Sequence, residues 1–299
     1  MTFGFGKPTR QQFLLLFRQK IEECDRLLRP IASWSLLAEM EALRDSRRGA
    51  DVSATAIELH VRSVYHSVRT SRPTFVSDAD LDAAVNGAAF GAFANSGQIC
   101  MSTERIIVDQ KIADEFAKKF ADKARNLPLG DPRKPEPVVL GSVIGMSTVE
   151  HCNALVDDAL AKGARLLCGG KADSTLMPAT VLDHVTPAMR IYHEETFGPV
   201  KCIVRVKNTE EAIACANDNE YGLSAAVFGK DIARAFNVAR KIDSGICHVN
   251  GPTVHDEAQM PFGGVKGSGI GRFGGKAGIA EFTELRWVTV QTTPRHYPF

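Results

Sequence analysis

The sequence lacks several features that would place it in large classes of protein. Its 36 lysine and arginine residues nearly balance 35 aspartate and glutamate residues, which leaves a formal charge of +1 at pH 7. Proteins that bind nucleic acid or an anionic membrane surface need a basic excess, so neither partner is expected. The sequence also has no apolar run that approaches the ~20 residues of a transmembrane helix.

The seven cysteines are scattered and form no C-x-x-C pair, so their spacing supports neither a zinc site nor a dithiol redox motif. An odd, dispersed set also argues against a disulfide-stapled secreted domain. The N-terminus has a short apolar patch without a small-residue cleavage site, which is not typical of a secretory signal. We therefore expect a reducing, cytoplasmic location.

Short apolar runs alternate with amphipathic helices from about residue 73 onward. This alternation predicts an α/β fold: an open, mostly parallel sheet with helices on both faces. The predicted strands are 105–108, 165–168, 200–206, 225–229 and 246–250, and the predicted helices are 79–94, 110–127, 148–162, 210–217 and 232–242.

The two ends of the chain differ from this pattern. The N-terminal segment shows helical periodicity at 11–28 and 36–44, a polar linker at 45–52 and no βαβ unit. Arg286–Gln291 has the pattern of a lone strand with no helix after it. Because a lone strand leaves an unpaired edge, we expect this segment to pair with another subunit in an oligomer.

Cys100 is the first candidate for chemistry. It follows Asn95-Ser96-Gly97-Gln98-Ile99, in a loop between the Ala-rich helix and the strand at 105. A rigid scaffold can present a nucleophile on such a loop, and nearby backbone N–H groups could activate the thiol. The alternative is that Cys100, like most cysteines, is an inert packing residue.

Two further segments are candidates. Glu195, in His193-Glu194-Glu195-Thr196-Phe197-Gly198-Pro199, could accept hydrogen bonds from a sugar hydroxyl or act as a base, or could simply be solvated on a turn. The long loop after the strand at 246, with Asn250 and Phe262, starts at a strand's carboxyl end, where open α/β sheets bind ligands. His255, Asp256 and Glu257 in that loop are adjacent and are not expected to converge on a metal ion, so no metal site is predicted.

Gly269-Ile270-Gly271-Arg272-Phe273-Gly274 matches G-x-G-x-x-G but lacks the preceding strand and the later acidic residue of a dinucleotide site. We interpret it as a loop.

Together these motifs resemble the aldehyde dehydrogenase superfamily. Gly97-Gln98-Ile99-Cys100 resembles its nucleophile motif, Glu194 to Val200 its cofactor-contacting motif, and Pro261-Phe262-Gly263-Gly264 with Lys266, Ser268 and Gly269 its C-terminal signature. Order and spacing agree from about residue 73 to the end. Met101-Ser102-Thr103-Glu104-Arg105, the segment 250–264 and Phe282 to Trp287 are most similar to the salicylaldehyde and vanillin dehydrogenase branch.

The resemblance implies an NAD- or NADP-dependent oxidation of an aromatic aldehyde to the acid, through a hemithioacetal and then a thioester on Cys100. Glu195 would hold the nicotinamide ribose and Phe197 would pack beside the ring. Ile99, Met101, Asn250 and Phe262 would line the substrate pocket. The implied organisation is a catalytic domain at 73–285 and an oligomerisation strand at 286–299.

The resemblance does not extend to residues 1–72, which would be a remnant of, or a replacement for, the family's cofactor domain. The family's general-base glutamate falls on His66 or Ser67. Two alternatives to a dehydrogenase therefore stay open at this point: a catalytically impaired, truncated paralogue that binds full-length relatives through its C-terminal strand, or a cofactor-independent thiol esterase.

Overall fold

The computed structural model describes the backbone of residues 72–75 and the residues 78–299. The predicted N-terminal helices, the linker and His66 and Ser67 lie outside this part of the chain. In chain order the described elements are β1 Arg72–Phe75, α1 Leu81–Phe93, β2 Arg105–Asp109, α2 Gln110–Arg125, α3 Met146–Ala161, β3 Arg165–Cys168, β4 Thr180–Asp183, α4 Arg190–His193, β5 Val200–Val206, α5 Thr209–Asn217, β6 Tyr221–Gly222, β7 Ser224–Phe228, α6 Ile232–Ala239, β8 Ile246–Val249, β9 Val265–Lys266 and α7 Gly275–Glu281.

Seven strands form one sheet in the order β3-β4-β5-β2-β1-β7-β8. Every neighbouring pair in it is parallel except β3 and β4, which are antiparallel. β6 and β9 form a separate antiparallel pair. The predicted mostly parallel sheet is therefore confirmed, with an antiparallel edge strand.

Alternating side chains along the strands bury both faces of the sheet. On β2, Ile106 and Val108 pack with α1 and α2, whereas Ile107 packs with α5 and α6. On β5, Ile203 joins the first of these clusters, whereas Cys202 faces a third cluster, built largely from α3 and α4. Because successive strand side chains point to opposite faces, the near-continuous apolar runs require helices on both sides, as predicted.

Local signals fix the helix ends. The Asp80 carboxylate accepts hydrogen bonds from the backbone N–H groups of Asp82 and Ala83 at the start of α1. α3 ends at Ala161, and Gly163 then adopts a φ of +97°, a left-handed conformation that favours glycine just after a helix end. No helix in the described ranges is both long and apolar enough to cross a membrane.

The structure also corrects the sequence interpretation. β4 was not predicted as a strand, although all four of its residues are buried. Arg286–Gln291 forms no strand, and Trp287 is 90% exposed. The reason is physical: a strand needs a hydrogen-bonding partner, and this segment has none within the described part of the chain.

Candidate functional site

The loop that carries Cys100, residues 94–104 (the Cys100 loop), leaves α1 through a strained turn. Asn95, Ser96 and Gly97 have consecutive φ values of +51°, +57° and +75°. The first two are non-glycine residues in the left-handed region, which costs energy that the surrounding contacts must offset. The Ser96 hydroxyl donates to the carbonyl of Gly141 at 3.2 Å. Strain at this point indicates that the position of the next residues, including Cys100, is fixed by tertiary contacts.

Gly97 brings the Cys100 loop into contact with residues 195–199 (the 195–199 turn). A Cβ atom at Gly97 would overlap the carbonyl oxygen of Gly198. Only glycine combines this close approach with a positive φ. The first and second motifs, almost 100 residues apart in the sequence, are therefore joined directly.

A buried ion pair lies beneath both segments. The Lys201 ammonium, 0% exposed, is 2.7 Å from the Glu104 carboxylate, 6% exposed. The other oxygen of that carboxylate accepts hydrogen bonds from the backbone N–H and the hydroxyl of Thr196, each at 2.8 Å. Glu104 ends the Cys100 loop and Lys201 lies in β5, so the pair ties the two strand starts together.

The inward position of Thr196 determines where its neighbours lie. Thr196 is buried, whereas Glu195 and Phe197 on either side of it are half-buried. Phe197 has a φ of +43°, and the carbonyl of Glu195 is 2.8 Å from the His151 Nε2. The Glu195 carboxylate acts electrostatically on the Cys100 thiol. The segments that carry Cys100 and Glu195 therefore meet through the contact of Gly97 with Gly198.

Cys100 differs from the buried cysteines in its surroundings. Burial raises the pKa of its thiol, and the backbone N–H groups of Met101 and Cys100 oppose that rise by hydrogen bonding to the sulfur. The negative charges of Glu195 and Asp256 raise the pKa further. By contrast, complete burial raises the pKa of Cys202 to about 12. Cys100 is half-buried, so reagents can reach it.

The segment after β8, residues 250–257 (the 250–257 loop), returns to the Cys100 loop. The Thr253 hydroxyl is 2.9 Å from the Thr103 hydroxyl, and both side chains are buried. The Thr253 carbonyl accepts a hydrogen bond from the Ser224 hydroxyl at 2.8 Å. Cys100 and Glu195 precede β2 and β5, at the amino edge of the sheet, and the 250–257 loop reaches this edge from the carboxyl end of β8.

The four predicted pocket residues have different surroundings. Met101 is buried, and Ile99 and Phe262 are half-buried. Asn250 is exposed, and its side-chain amide accepts from the Gly229 N–H and donates to the Gly229 carbonyl, each at 2.9 Å. Asn250 therefore fastens the end of β8 to the end of β7.

The C-terminal signature packs at the amino end of β8. A Cβ atom at Gly245 would overlap the carbonyl oxygen of Gly263, so the backbones touch there. The Phe262 and Phe273 backbones exchange hydrogen bonds of 2.8 and 2.7 Å. Within the G-x-G-x-x-G match, the Arg272 N–H donates to the Glu281 carboxylate, consistent with a structural loop.

Sequence reasoning missed the residues that hold the site together. Lys201 lies in the largely apolar strand β5, and Glu104 immediately precedes the buried strand β2. A charged residue inside a buried strand is a signal for a buried partner, because an unpaired charge there is very costly. Among the described residues, no group of three or more His, Cys, Asp and Glu is arranged to hold a metal ion.

The residues described above lie in the part of the chain that matches known proteins. The family model described as "Aldehyde dehydrogenase family" matches residues 67–288. The chain is 57% identical over 223 residues to a vanillin dehydrogenase of Pseudomonas fluorescens, covering 75% of this chain and 46% of that protein. It is 48% identical over 255 residues to a salicylaldehyde dehydrogenase of Pseudomonas sp. (strain C18), covering 85% of this chain and 53% of that protein.

A solved structure agrees with the fold. The crystal structure of a salicylaldehyde dehydrogenase from Pseudomonas putida G7 complexed with salicylaldehyde matches with a TM-score of 0.72 and 50% identity, over 78% of this chain and 48% of that one. The chain thus spans about half the length of the relatives it matches. The matched residues contain the Cys100 loop, the 195–199 turn and the C-terminal signature, and the chain belongs to the aldehyde dehydrogenase family.

Proposed function

We propose that the protein oxidises an aromatic aldehyde to the carboxylic acid with NAD or NADP, with Cys100 as the nucleophile. The observation that carries the proposal is the close contact of the Cys100 loop with the 195–199 turn, fixed by Gly97 and by the Glu104–Lys201 ion pair. The relatives named vanillin, salicylaldehyde and benzaldehyde dehydrogenase support the substrate class.

Glu195 and Phe197 are the proposed cofactor contacts. Both are half-buried on the turn that contacts the Cys100 loop, and the turn offers one carboxylate for sugar hydroxyl groups and one aromatic face for a planar ring. This donor set fits the nicotinamide riboside end of the cofactor. Relatives described as NADP complexes and as NAD-dependent support either form. When bound, the cofactor would accept the hydride that leaves the aldehyde carbon.

Cys100 performs the covalent chemistry in this proposal. Its thiol releases a proton to solvent, and the thiolate sulfur forms a bond to the carbonyl carbon while the carbonyl π electrons move to the oxygen. The Cys100 backbone N–H is a donor for the negative charge that develops there. After hydride removal the acyl group stays on Sγ as a thioester. Water then breaks the C–S bond, releasing the acid and restoring the thiol.

Ile99, Met101 and Phe262 are the proposed apolar walls for the aromatic ring, with Asn250 positioning the 250–257 loop.

A second copy or a longer relative is the proposed partner of residues 286–299. Trp287 and Val290 are 90% and 80% exposed, and apolar side chains in such a segment favour pairing with another subunit.

The test is reduction of NAD and NADP at 340 nm with salicylaldehyde, vanillin and benzaldehyde. We expect activity in the wild type, none in Cys100→Ala, and retained activity in Cys247→Ala, a matched control on β8. Folded wild-type protein that reduces neither cofactor with any of these aldehydes would contradict the proposal. Equal activity in Cys100→Ala would contradict the role of Cys100.

A further inference from the structure

The 250–257 loop carries three adjacent ionisable residues that differ in their contacts. The His255 ring packs edge-on against His248 with centroids 5.4 Å apart, and its Nε2 is 3.5 Å from a Glu257 carboxylate oxygen. Glu257 also accepts a hydrogen bond from the Gln259 side chain. Asp256, between them, has neither a hydrogen-bond nor an ion-pair partner among the residues that the structure describes. Its charge is therefore not neutralised by a direct contact.

The anchoring of the loop places Asp256 near the thiol. Thr253 contacts Thr103, and these residues lie three positions from Asp256 and from Cys100, respectively. The Ser224 hydroxyl fixes the same point from β7. The two side-chain charges that most affect the thiol are both negative, those of Glu195 and Asp256. An exposed carboxylate without a partner in the described part of the chain therefore adds its negative charge to the surroundings of Cys100.

We propose that Asp256 is a specificity-determining residue that disfavours aldehydes bearing a carboxylate or phosphate and favours uncharged ones. The inference rests on the proposed function, since it concerns the substrate of the same site. A like charge several ångströms from the reacting carbon raises the energy of an anionic substrate and leaves a neutral one almost unaffected. In a solvent-exposed mouth, we expect removal of one such charge to change the preference about threefold.

The direct test compares two alkylating agents of nearly equal size, neutral iodoacetamide and anionic iodoacetate. Their rate ratio at Cys100 cancels changes in the thiolate fraction, and the tryptic peptide that contains Cys100 holds no other cysteine. In Asp256→Asn we expect the relative rate of iodoacetate to rise about threefold. We expect it to stay at the wild-type value in Asp256→Glu, which keeps the charge, and in Glu257→Gln, which removes a charge one residue away that is not among those acting on the thiol.

Salt gives a second check on the electrostatic origin. In 1 M KCl the Debye length falls to about 3 Å. The relative rate of iodoacetate in Asp256→Asn, divided by that in the wild type, is therefore expected to approach one. A ratio in Asp256→Asn equal to that of the wild type at low salt would overturn the proposal. An equal rise in Glu257→Gln would also overturn it, because the effect would then belong to the loop's total charge.

A kinetic arm separates this inference from the proposed function. With benzaldehyde and 4-formylbenzoate, Asp256→Asn is expected to raise the relative kcat/KM of the anionic substrate about threefold. An active enzyme whose substrate ratio and alkylation ratio are both unchanged would refute the role of Asp256 alone. Absence of any dehydrogenase activity together with the expected alkylation pattern would refute the proposed function and support the electrostatic role of Asp256.

Discussion

Two buried polar contacts hold the segments around Cys100, and they differ in charge. Beneath the 195–199 turn, Lys201 and Glu104 form an ion pair at 2.7 Å, with Thr196 donating to the same carboxylate. Beneath the 250–257 loop, the hydroxyls of Thr103 and Thr253 meet at 2.9 Å. Both contacts join residues about 100 or more positions apart. The first holds the turn through charges that are costly to leave unpaired, whereas the second holds the loop through a neutral pair.

Breaking the charged contact is expected to have the largest effect. Lys201→Met leaves the Glu104 carboxylate buried without its cation, which is expected to lower the free energy of unfolding by about 3–5 kcal/mol. Urea denaturation measures this value. The matched control is Lys119→Met, whose partner Asp82 is 79% exposed, and a loss of no more than about 1 kcal/mol is expected there. Similar losses in the two variants would contradict the assigned difference.

Gly97→Ala is expected to cost somewhat less, about 2–4 kcal/mol, from backbone strain and from overlap with the Gly198 carbonyl. Gly163→Ala is the control, because Gly163 also has a positive φ but a Cβ there meets nothing within 4 Å. It is expected to lose only the conformational cost, about 1–2 kcal/mol. Thermal unfolding of the two variants compares these losses, and equal values would show that the contact with Gly198 adds nothing.

Breaking the neutral contact is expected to have a smaller effect. Thr253→Val removes one hydroxyl and leaves the buried Thr103 hydroxyl without this partner, at about 1–2 kcal/mol. The double variant Thr103→Val/Thr253→Val is expected to lose less than the sum of the single variants, since no hydroxyl is then left unpaired. A double-mutant cycle in urea measures the coupling, and strictly additive losses would contradict the pairing.

The smallest effect at neutral pH concerns two thiols near these contacts. Folding raises the pKa of both thiols, so the folded state favours their protonated form. The stability that this preference contributes is therefore complete below about pH 9 and declines as the pH rises. Alkylation of Cys100 by iodoacetamide is expected to increase about tenfold per pH unit from 7 to 9. Cys202, fully buried, is expected to react only on unfolding, as peptide mass spectrometry would show. Reaction of both thiols at the same rate would contradict this contrast.

Much of the fold could be predicted from local pattern. Val200–Val206 and Arg165–Cys168 have the predicted bounds, and α2 lies within the predicted helix 110–127 with Phe116 and Phe120 buried. The sequence pattern predicted no strand between β3 and the 195–199 turn, so β4 was missed. Arg286–Gln291 was predicted from strand propensity, but propensity alone does not supply the hydrogen bonds that a strand needs.

The candidate site divides in the same way. Sequence patterns identified Cys100, Glu195 and Phe197 because their motifs are local, and their resemblance to one family gave each a role. The patterns did not identify Lys201 and Thr253 as anchors, because these residues act through partners that are distant in the sequence. They placed the start of the 250–257 loop at the carboxyl end of a strand but did not show that the loop returns to Thr103, since the path of a loop after it leaves a strand depends on what it packs against.

The sequence by itself determined the family, the alternation of helices and strands, and the residues that carry the proposed chemistry. These properties depend on short motifs and on periodicity, which are readable within a window of a few residues. Only the tertiary structure decided that Gly97 touches Gly198, that Lys201 neutralises Glu104, and that Thr253 joins Thr103. Those pairings join distant segments, and their geometry is set by the packing of helices on both faces of one sheet.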